Sequence, residues 1–252
     1  MSSIQLGPAE GVAVVRLAHG KANALDTELC ERLLGVLDDV LRAGHPAVVL
    51  TGTAGVFSAG VDLRRLVTGG AAYVREFLPV LSEVFLTLFD FPRPVVAAIN
   101  GHAIAGGAVL AAACDARVMN ADHGMLGWTE LRVGVPFPLA ATEILRCAYG
   151  SPALTELMVW ARTWRGPDAL ARGLVDAMAA EDAVVGRAAE LARTLGRVPP
   201  EAFLHTKRQL HRPFNERIGE HGPSDDAHVE HVWSAPETLA TIRSYVAAML
   251  GD

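Results

Sequence analysis

The sequence predicts an α/β fold in which short buried strands alternate with helices. Two observations support this: β-branched apolar runs bounded by turn residues recur along the first half of the chain, and segments with apolar residues every three or four positions separate them. The 252 residues, 51% of them hydrophobic and 20% charged, can bury a large core and are not typical of a disordered chain.

The first elements follow from local residue patterns. Residues 11–17 and 46–52 are short β-branched runs and are predicted as strands. Between them, Asp26 is expected to begin a helix that reaches Gly44. Leucine and valine recur there at helical spacing, and Glu28 in the first turn favours the helix dipole.

A second helix and a third strand follow the same order. The long helix is predicted over residues 71–89, with a kink at Pro79. Pro92 and Pro94 then end it before a strand over residues 95–99. Strand, helix, strand, helix is therefore the expected organisation of the first half.

After a further strand over residues 116–119, the chain is predicted to become mostly helical. The expected helices cover residues 140–148, 152–161, 184–195 and 201–210. Residues 211–230 are polar and contain a Gly-Pro break, so an exposed loop or mobile connection is predicted there. Pro236 begins a last helix, whose apolar stripe suggests docking on the body or on a neighbouring subunit.

Charge and cysteine content argue against several classes of protein. The net charge of −6 gives no support to nucleic acid as a partner. Cys30, Cys114 and Cys147 are widely spaced, which favours neither a disulfide framework nor a metal site and suggests a reducing cytoplasm. No signal peptide is recognisable, and residues 94–114 are interrupted by Asn100 and glycines, so no membrane span is expected.

Three separated segments look like parts of one active site. Residues 55–63 and 100–108 are glycine-rich turns placed where a strand ends and a helix begins, so their free N–H groups can bind a small anionic oxygen. Residues 127–131 supply a carboxylate, Glu130. Together they suggest chemistry through an enolate. His102 is interpreted as a turn histidine with satisfied hydrogen bonds, not as a base.

Four segments, in order, resemble the crotonase superfamily, the enoyl-CoA hydratase/isomerase group. They are residues 21–25, 57–63, 94–107 and 130–134. The resemblance implies a crotonase-like spiral of β-β-α units, with two roughly perpendicular sheets over residues 1–195 and a C-terminal helical trimerisation region over residues 196–252. It also implies acyl-CoA as the small-molecule ligand, no further cofactor, and a homotrimer or hexamer.

The resemblance also assigns roles to individual residues. It places the two N–H groups of an oxyanion hole on Val61 and Gly106, with the thioester oxygen between them. Glu130 becomes the catalytic base, and its apolar surroundings should raise its carboxyl pKa. Residues assigned to substrate binding are Ala22, Ala59, Asp62, Leu63, Arg64 and Gly107. Arg64 could bind a CoA phosphate or could equally be a surface cation.

Val109 is the informative departure from the family pattern. Hydratases of this family carry a second glutamate at that position, and the two acids hold the water that adds to the double bond. With one acid left, the expected reaction is the shift of a 3-enoyl-CoA to a 2-enoyl-CoA. A hydratase, another crotonase-type lyase or a non-catalytic acyl-CoA-binding protein remain alternatives. Trp128, Phe85 and Phe89 could line an acyl tunnel, but are assigned to the core.

Overall fold

The structure of the protein is a computed structural model that describes residues 3–9, 11–53 and 55–250. Ten strands and eight α-helices lie in these ranges. The strands are β1 (Ile4–Ala9), β2 (Val12–Leu17), β3 (Val48–Thr51), β4 (Val56–Ser58), β5 (Val95–Ile99), β6 (His102–Ile104), β7 (Ala116–Asn120), β8 (Met125–Gly127), β9 (Thr163–Arg165) and β10 (Ala177–Ala179). The helices are α1 (Thr27–Arg42), α2 (Leu63–Phe89), α3 (Gly106–Ala113), α4 (Leu139–Tyr149), α5 (Gly166–Ala171), α6 (Val184–Gly196), α7 (Pro200–Ser234) and α8 (Pro236–Leu250).

The strands form two sheets, and from β3 to β8 successive strands alternate between them. The first sheet has the order β1-β2-β3-β5-β7-β10, and the second has the order β4-β6-β8-β9. Each repeat therefore adds one strand to each sheet before a helix: β3, β4 and α2, then β5, β6 and α3. This is the predicted spiral of β-β-α units.

Apolar residues on both faces hold the first sheet in the interior. Strands β3, β5 and β7 are parallel, and every one of their residues is buried. Alternate side chains enter two different clusters: Val48 and Leu50 face the main core with α1 and α2, whereas Val49 faces α6. Burial on both faces explains why these strands are continuous apolar runs in the sequence.

Aspartate caps begin the two helices nearest to the first glycine-rich turn. Asp26 accepts a hydrogen bond from the Leu29 N–H at 2.8 Å, as expected for the start of α1. Asp62 accepts from the Arg65 N–H at 3.0 Å and starts α2 directly after the turn. Gly70, with φ of 58° and ψ of −151°, then breaks α2, so the helix predicted from residue 71 is its second segment.

Residues 211–230 do not form the predicted loop. They lie within α7, one helix of 35 residues that continues through Pro213 and Pro223. The polar composition reflects a solvent-facing surface, while the inner face contacts the core; for example, Arg217 bonds the fully buried Glu143 of α4. The helix predicted over residues 152–161 is also wrong, because that segment is a 3₁₀ turn followed by a short π-helix.

Specific polar contacts attach α7 to the core. The His211 ring stacks on Phe89 with 3.7 Å between ring centroids, and its Nδ1 lies 3.1 Å from an oxygen of Asp90. Lys207, with 5% of its surface exposed, pairs with Asp115 at 2.9 Å. The tail is therefore fixed to the body, although the division into residues 1–195 and 196–252 stays a prediction.

The last helix docks on the body, which was one of its two predicted partners. Ile242 is completely buried, and Tyr245 and Val246 pack against the main core. Met249, the last residue of the predicted stripe, is instead exposed. No helix in the described ranges combines the length and apolarity needed to cross a lipid bilayer.

Lys207→Ala should lower the free energy of unfolding by about 3 kcal/mol, because it leaves the Asp115 carboxylate without its buried partner. Urea denaturation followed by circular dichroism measures the loss. Arg208→Ala is the matched control: the exposed neighbour on α7 should change stability by less than about 0.5 kcal/mol. Equal effects of the two variants would contradict a structural role for the buried pair.

Candidate active site

A cavity lies where α2, α3, α4 and the two C-terminal helices meet the ends of the second sheet. It contains about 680 Å³ free of protein atoms, its open mouth included. Its lining includes Val61, Gly106 and Glu130, three residues that come from the three segments singled out in the sequence. The fold thus brings the predicted oxyanion turns and the predicted base to one place.

The first turn is held by the segment that precedes α1. Asn23 adopts a left-handed conformation with φ of 48°, and its side-chain amide donates to the carbonyls of Val56 and Phe57. Leu25 donates to the Gly60 carbonyl at 2.8 Å and accepts from the Asp62 N–H at 2.9 Å.

These two bonds bracket Val61, whose own N–H points away from Leu25. Within the described ranges, that N–H has no hydrogen-bond acceptor. The first turn therefore has one free backbone donor at the cavity wall.

The second turn presents the start of α3. Ala105 precedes the helix with φ of 51° and ψ of −124°, a conformation that costs a residue with a Cβ on the order of 1–3 kcal/mol. Its N–H donates to the Gly127 carbonyl at 2.7 Å, and its own carbonyl accepts from Ala108 and Val109. Gly106, the first residue of α3, keeps an N–H without an acceptor among the described residues.

The two turns lie in van der Waals contact because glycine occupies both. Gly60 has φ of 84°, and a Cβ placed on it would lie 2.8 Å from the Ile104 carbonyl oxygen and 3.1 Å from the Gly106 nitrogen. A Cβ on Gly107 would lie 2.3 Å from the Ser58 carbonyl oxygen. A Cβ on Gly106 would lie 3.7 Å from a methyl carbon of Val61, so the two residues are neighbours on the cavity wall, and their role as an oxyanion hole stays a prediction.

Glu130 is a buried carboxyl group with little to stabilise its charge. It begins a 3₁₀ turn after β8, is 8% exposed, and its Oε2 has no hydrogen-bond partner within the described chain. Burial raises the pKa of Glu130 from its usual 4.5 to about 8. The expectation that apolar surroundings raise this pKa is confirmed, and the group can both accept and return a proton near neutral pH.

No second acid accompanies Glu130. Val109 lines the cavity from α3 and is 1% exposed. Among the described residues of the lining, Glu130 is the only one that carries a carboxyl group. Across the described chain, no three His, Cys, Asp or Glu side chains converge as a metal site would require.

The residues predicted to bind substrate take different positions. Ala59 and Leu63 line the cavity, and Arg64 is exposed in the first turn of α2. The Ala22 carbonyl accepts from the Ala59 N–H, and the Asp62 carboxylate caps α2. Gly107 does not line the cavity but is buried against Ser58. Gly107 allows the two turns to pack closely, and its predicted contact with substrate stays a prediction.

Sequence reasoning missed aromatic residues of the cavity. Phe85 packs in the main core as predicted and also lines the cavity, and Trp233 and Tyr245 reach the cavity from α7 and α8. Their types and helical spacing are those of ordinary core residues, so the sequence held no specific signal. His102 was also misread: it lies in β6, and its buried Nδ1 lacks a partner in the described structure.

Comparison with known proteins identifies the family. A sequence profile described as enoyl-CoA hydratase/isomerase matches residues 7–245. The chain belongs to the enoyl-CoA hydratase/isomerase family. A putative enoyl-CoA hydratase of Thermus thermophilus is 37% identical over 204 residues, which are 79% of this chain and 80% of the relative.

Solved structures share the fold over nearly the whole length. A probable enoyl-CoA hydratase, EchA3 of Mycobacterium tuberculosis, is 30% identical with a TM-score of 0.84, covering 95% of this chain and 99% of that one. The human mitochondrial delta3-delta2-enoyl-CoA isomerase superposes with a TM-score of 0.93 at 24% identity over 98% of each chain, a likeness of fold. The predicted crotonase-like fold is thereby confirmed.

Glu130→Gln should change how stability depends on pH. The unfolded chain releases the Glu130 proton near pH 4.5, whereas the folded chain keeps it to about pH 8, so wild-type stability from this group is complete below 4.5 and is lost as pH rises through 8. Between pH 4.5 and 8, the free energy of unfolding of the variant should rise relative to that of wild type by roughly 1 kcal/mol per pH unit, as measured by urea denaturation. Glu83 is exposed, so the stability of Glu83→Gln should depend on pH in the same way as that of wild type. A constant offset for Glu130→Gln would contradict the raised pKa.

Gly60→Ala should destabilise the protein by about 2 kcal/mol more than Gly44→Ala. Both glycines have positive φ, 84° and 73°, but only Gly60 has other atoms where a Cβ would be placed. Gly44→Ala should therefore show the conformational cost alone, about 1 kcal/mol, and Gly60→Ala should add the cost of overpacking. Urea denaturation of both variants measures the difference, and similar losses would rule out tight contact between the turns.

Proposed function

We propose that this enzyme is an enoyl-CoA isomerase that moves the double bond of a 3-enoyl-CoA to the 2-position. One observation supports the proposal: a single buried carboxyl group, Glu130, lines the same cavity as Val61 and Gly106, and Val109 stands where hydratases are expected to carry a second acid. Such a site can transfer a proton along an acyl chain but has no second acid with which to hold and activate water.

The two backbone donors would stabilise the enolate. Removal of the C2 proton places negative charge on the thioester oxygen, which would lie between the N–H groups of Val61 and Gly106. Donors that already point at that oxygen in a water-poor cavity favour the transition state over the ground state. By analogy with other oxyanion holes, each donor would contribute about 3 kcal/mol.

Glu130 would carry the proton from C2 to C4. The ionised carboxylate accepts the C2 proton and becomes neutral, the form that burial favours. It then returns the proton to C4 of the dienolate, the 2,3 double bond forms, and Glu130 is again ionised. Atoms and charge balance without a cofactor, because the thioester itself accepts the electron pair.

The CoA moiety would extend along the start of α2. Arg64 is exposed there, and in the described structure it forms no ion pair, so its guanidinium is available to a phosphate. The neighbouring Arg65 is engaged by Glu28 and Asp26. Backbone groups near Ala22 and Ala59 would contact the adenine end, beside the predicted binding residues Asp62 and Leu63.

Assembly and location are part of the proposal. A homotrimer, or a hexamer of paired trimers, is proposed; exposed apolar side chains such as Val159, Trp160 and Leu210 support subunit contacts. A cytoplasmic location is proposed because the three cysteines are free, with Cys30 and Cys114 buried.

A hydratase is the second candidate, because the Thermus thermophilus relative bears the name of a putative enoyl-CoA hydratase. Against it stands Val109, which cannot ionise or hold water. A non-catalytic acyl-CoA-binding protein is the third candidate, although binding alone does not require a buried carboxyl group.

Absorbance of the conjugated thioester should rise when the enzyme meets a 3-enoyl-CoA and should stay constant with a 2-enoyl-CoA. Glu130→Gln should lower kcat at least about 100-fold, since the proton carrier is lost. It should leave the affinity for a saturated acyl-CoA, measured by calorimetry, within a few-fold of wild type.

Glu83→Gln is the control variant for the assay, because this exposed residue of α2 lies outside the cavity. Absorbance lost from the 2-enoyl-CoA would identify a hydratase. No change with either substrate, despite acyl-CoA binding, would identify a binding protein, and full activity of Glu130→Gln would exclude Glu130 as the base.

A further inference from the structure

The acyl part of the cavity extends away from the oxyanion turns. If the thioester lies at Val61 and Gly106 and CoA leaves beside Arg64, the acyl chain must enter the remaining lining. That lining is apolar and includes Leu81, Phe85, Pro138, Ala141 and Trp233. We call this region the acyl chamber, and its use rests on the function proposed above.

Trp233 forms a fixed part of the chamber wall. It is 2% exposed, and its indole Nε1 donates to the Pro136 carbonyl at 2.9 Å. The hydrogen bond holds the ring against the segment that follows Glu130, so the indole cannot rotate away without leaving a buried N–H unpaired.

A second cavity lies next to the acyl chamber. It contains about 600 Å³ free of protein atoms, its mouth included, and Pro138 borders both spaces. On α7 its lining includes Val229, one helical turn before Trp233. On α2 it is lined by Leu78 and Ser82, whereas Leu81 and Phe85 line the acyl chamber. The two spaces are therefore neighbours along the same pair of helices.

The two neighbouring cavities differ in the charge of their linings. Asp226 and Glu230 line the second cavity, and the Oε1 atom of Glu230 lies 3.7 Å from the Nη1 atom of Arg75. Glu130 is the only residue with a formal charge in the described lining of the acyl chamber. An apolar chain gains by burial in the chamber but would meet charged groups beyond it.

We propose that Trp233 determines the acyl-chain length of this enzyme by closing the acyl chamber. Chains that end before the indole are bound along their whole length, and longer chains must leave part of the tail outside the apolar space. The substrate class is therefore a short-chain acyl-CoA, and a smaller residue at position 233 should extend the accepted length.

Calorimetry with a series of saturated acyl-CoAs, from butyryl to dodecanoyl, tests the limit without requiring turnover. Each methylene that enters the chamber should tighten binding about fourfold. The Kd of the wild type should fall along the series and then stop falling at the chain that reaches Trp233. We call the chain length at which the Kd stops falling the break, and substitutions in the chamber should change it.

Two substitutions at position 233 separate volume from hydrogen bonding. Trp233→Leu removes the outer part of the indole and should move the break to a longer chain. Trp233→Phe also removes the N–H that binds Pro136 but keeps an aromatic ring in the wall, so its break should stay with that of wild type. Ala141→Leu adds volume to the chamber from α4 and should move the break to a shorter chain.

The outcomes are separable by circular dichroism, which reports folding of each variant. A break unmoved in folded Trp233→Leu, or a wild-type Kd that keeps falling through dodecanoyl-CoA, would overturn the proposal. If Trp233→Leu does not fold, the opposite shift in Ala141→Leu supports the limit, and its absence refutes it. A moved break in an enzyme without isomerase activity would reject the proposed reaction yet keep the length limit, whereas no acyl-CoA binding would reject both.

Discussion

The active site depends on the contact between two backbone turns. Gly60 and the Ala105-Gly106 pair approach so closely that a methyl group on Gly60 would touch the second turn. Each turn follows a strand of the second sheet, and the β4–β6 pairing fixes their separation. This contact brings Val61 and Gly106 to one cavity wall, so the spiral of β-β-α units positions the two residues proposed to bind the thioester oxygen.

Burial raises the pKa of Glu130 and also lowers the stability of the fold. The same absence of solvent and hydrogen-bond partners that raises its pKa to about 8 leaves a polar atom unsatisfied in the interior. Hydrophobic packing elsewhere offsets this cost, with α7 and α8 completing the apolar enclosure through Trp233 and Tyr245. The C-terminal helices therefore contribute to the site of their own chain.

The sequence predicted the parts of the fold that carry strong local patterns. The central strands β3, β5 and β7 of the first sheet are buried on both faces and read as apolar runs, and Asp26 marks the start of α1. The strands of the second sheet have three residues each and no period to recognise. Most residues of α7 are polar and face solvent, so the sequence pattern did not reveal its buried contacts. Residues 211–230 were therefore wrongly predicted as a loop.

For the site, sequence motifs identified Val61, Gly106 and Glu130, which the fold brings to one cavity. The aromatic wall was not predictable, because Trp233 lies far along the chain from the motifs and its contact with Pro136 depends on how α7 packs. Asp62 caps α2 and Gly107 lets two backbones approach closely, structural roles that the motifs did not reveal, while their predicted contacts with substrate stay predictions.

The unfavourable backbone angles of Ala105 bear on how the enzyme would lower its activation barrier. A left-handed alanine persists only where its surroundings permit nothing else, and here the bond to Gly127 and the start of α3 fix it. Dipoles held this rigidly need not rotate when charge develops on a bound oxygen, whereas water molecules must. The reorganisation that solvent would undergo during each turnover is thus completed once, when the chain folds.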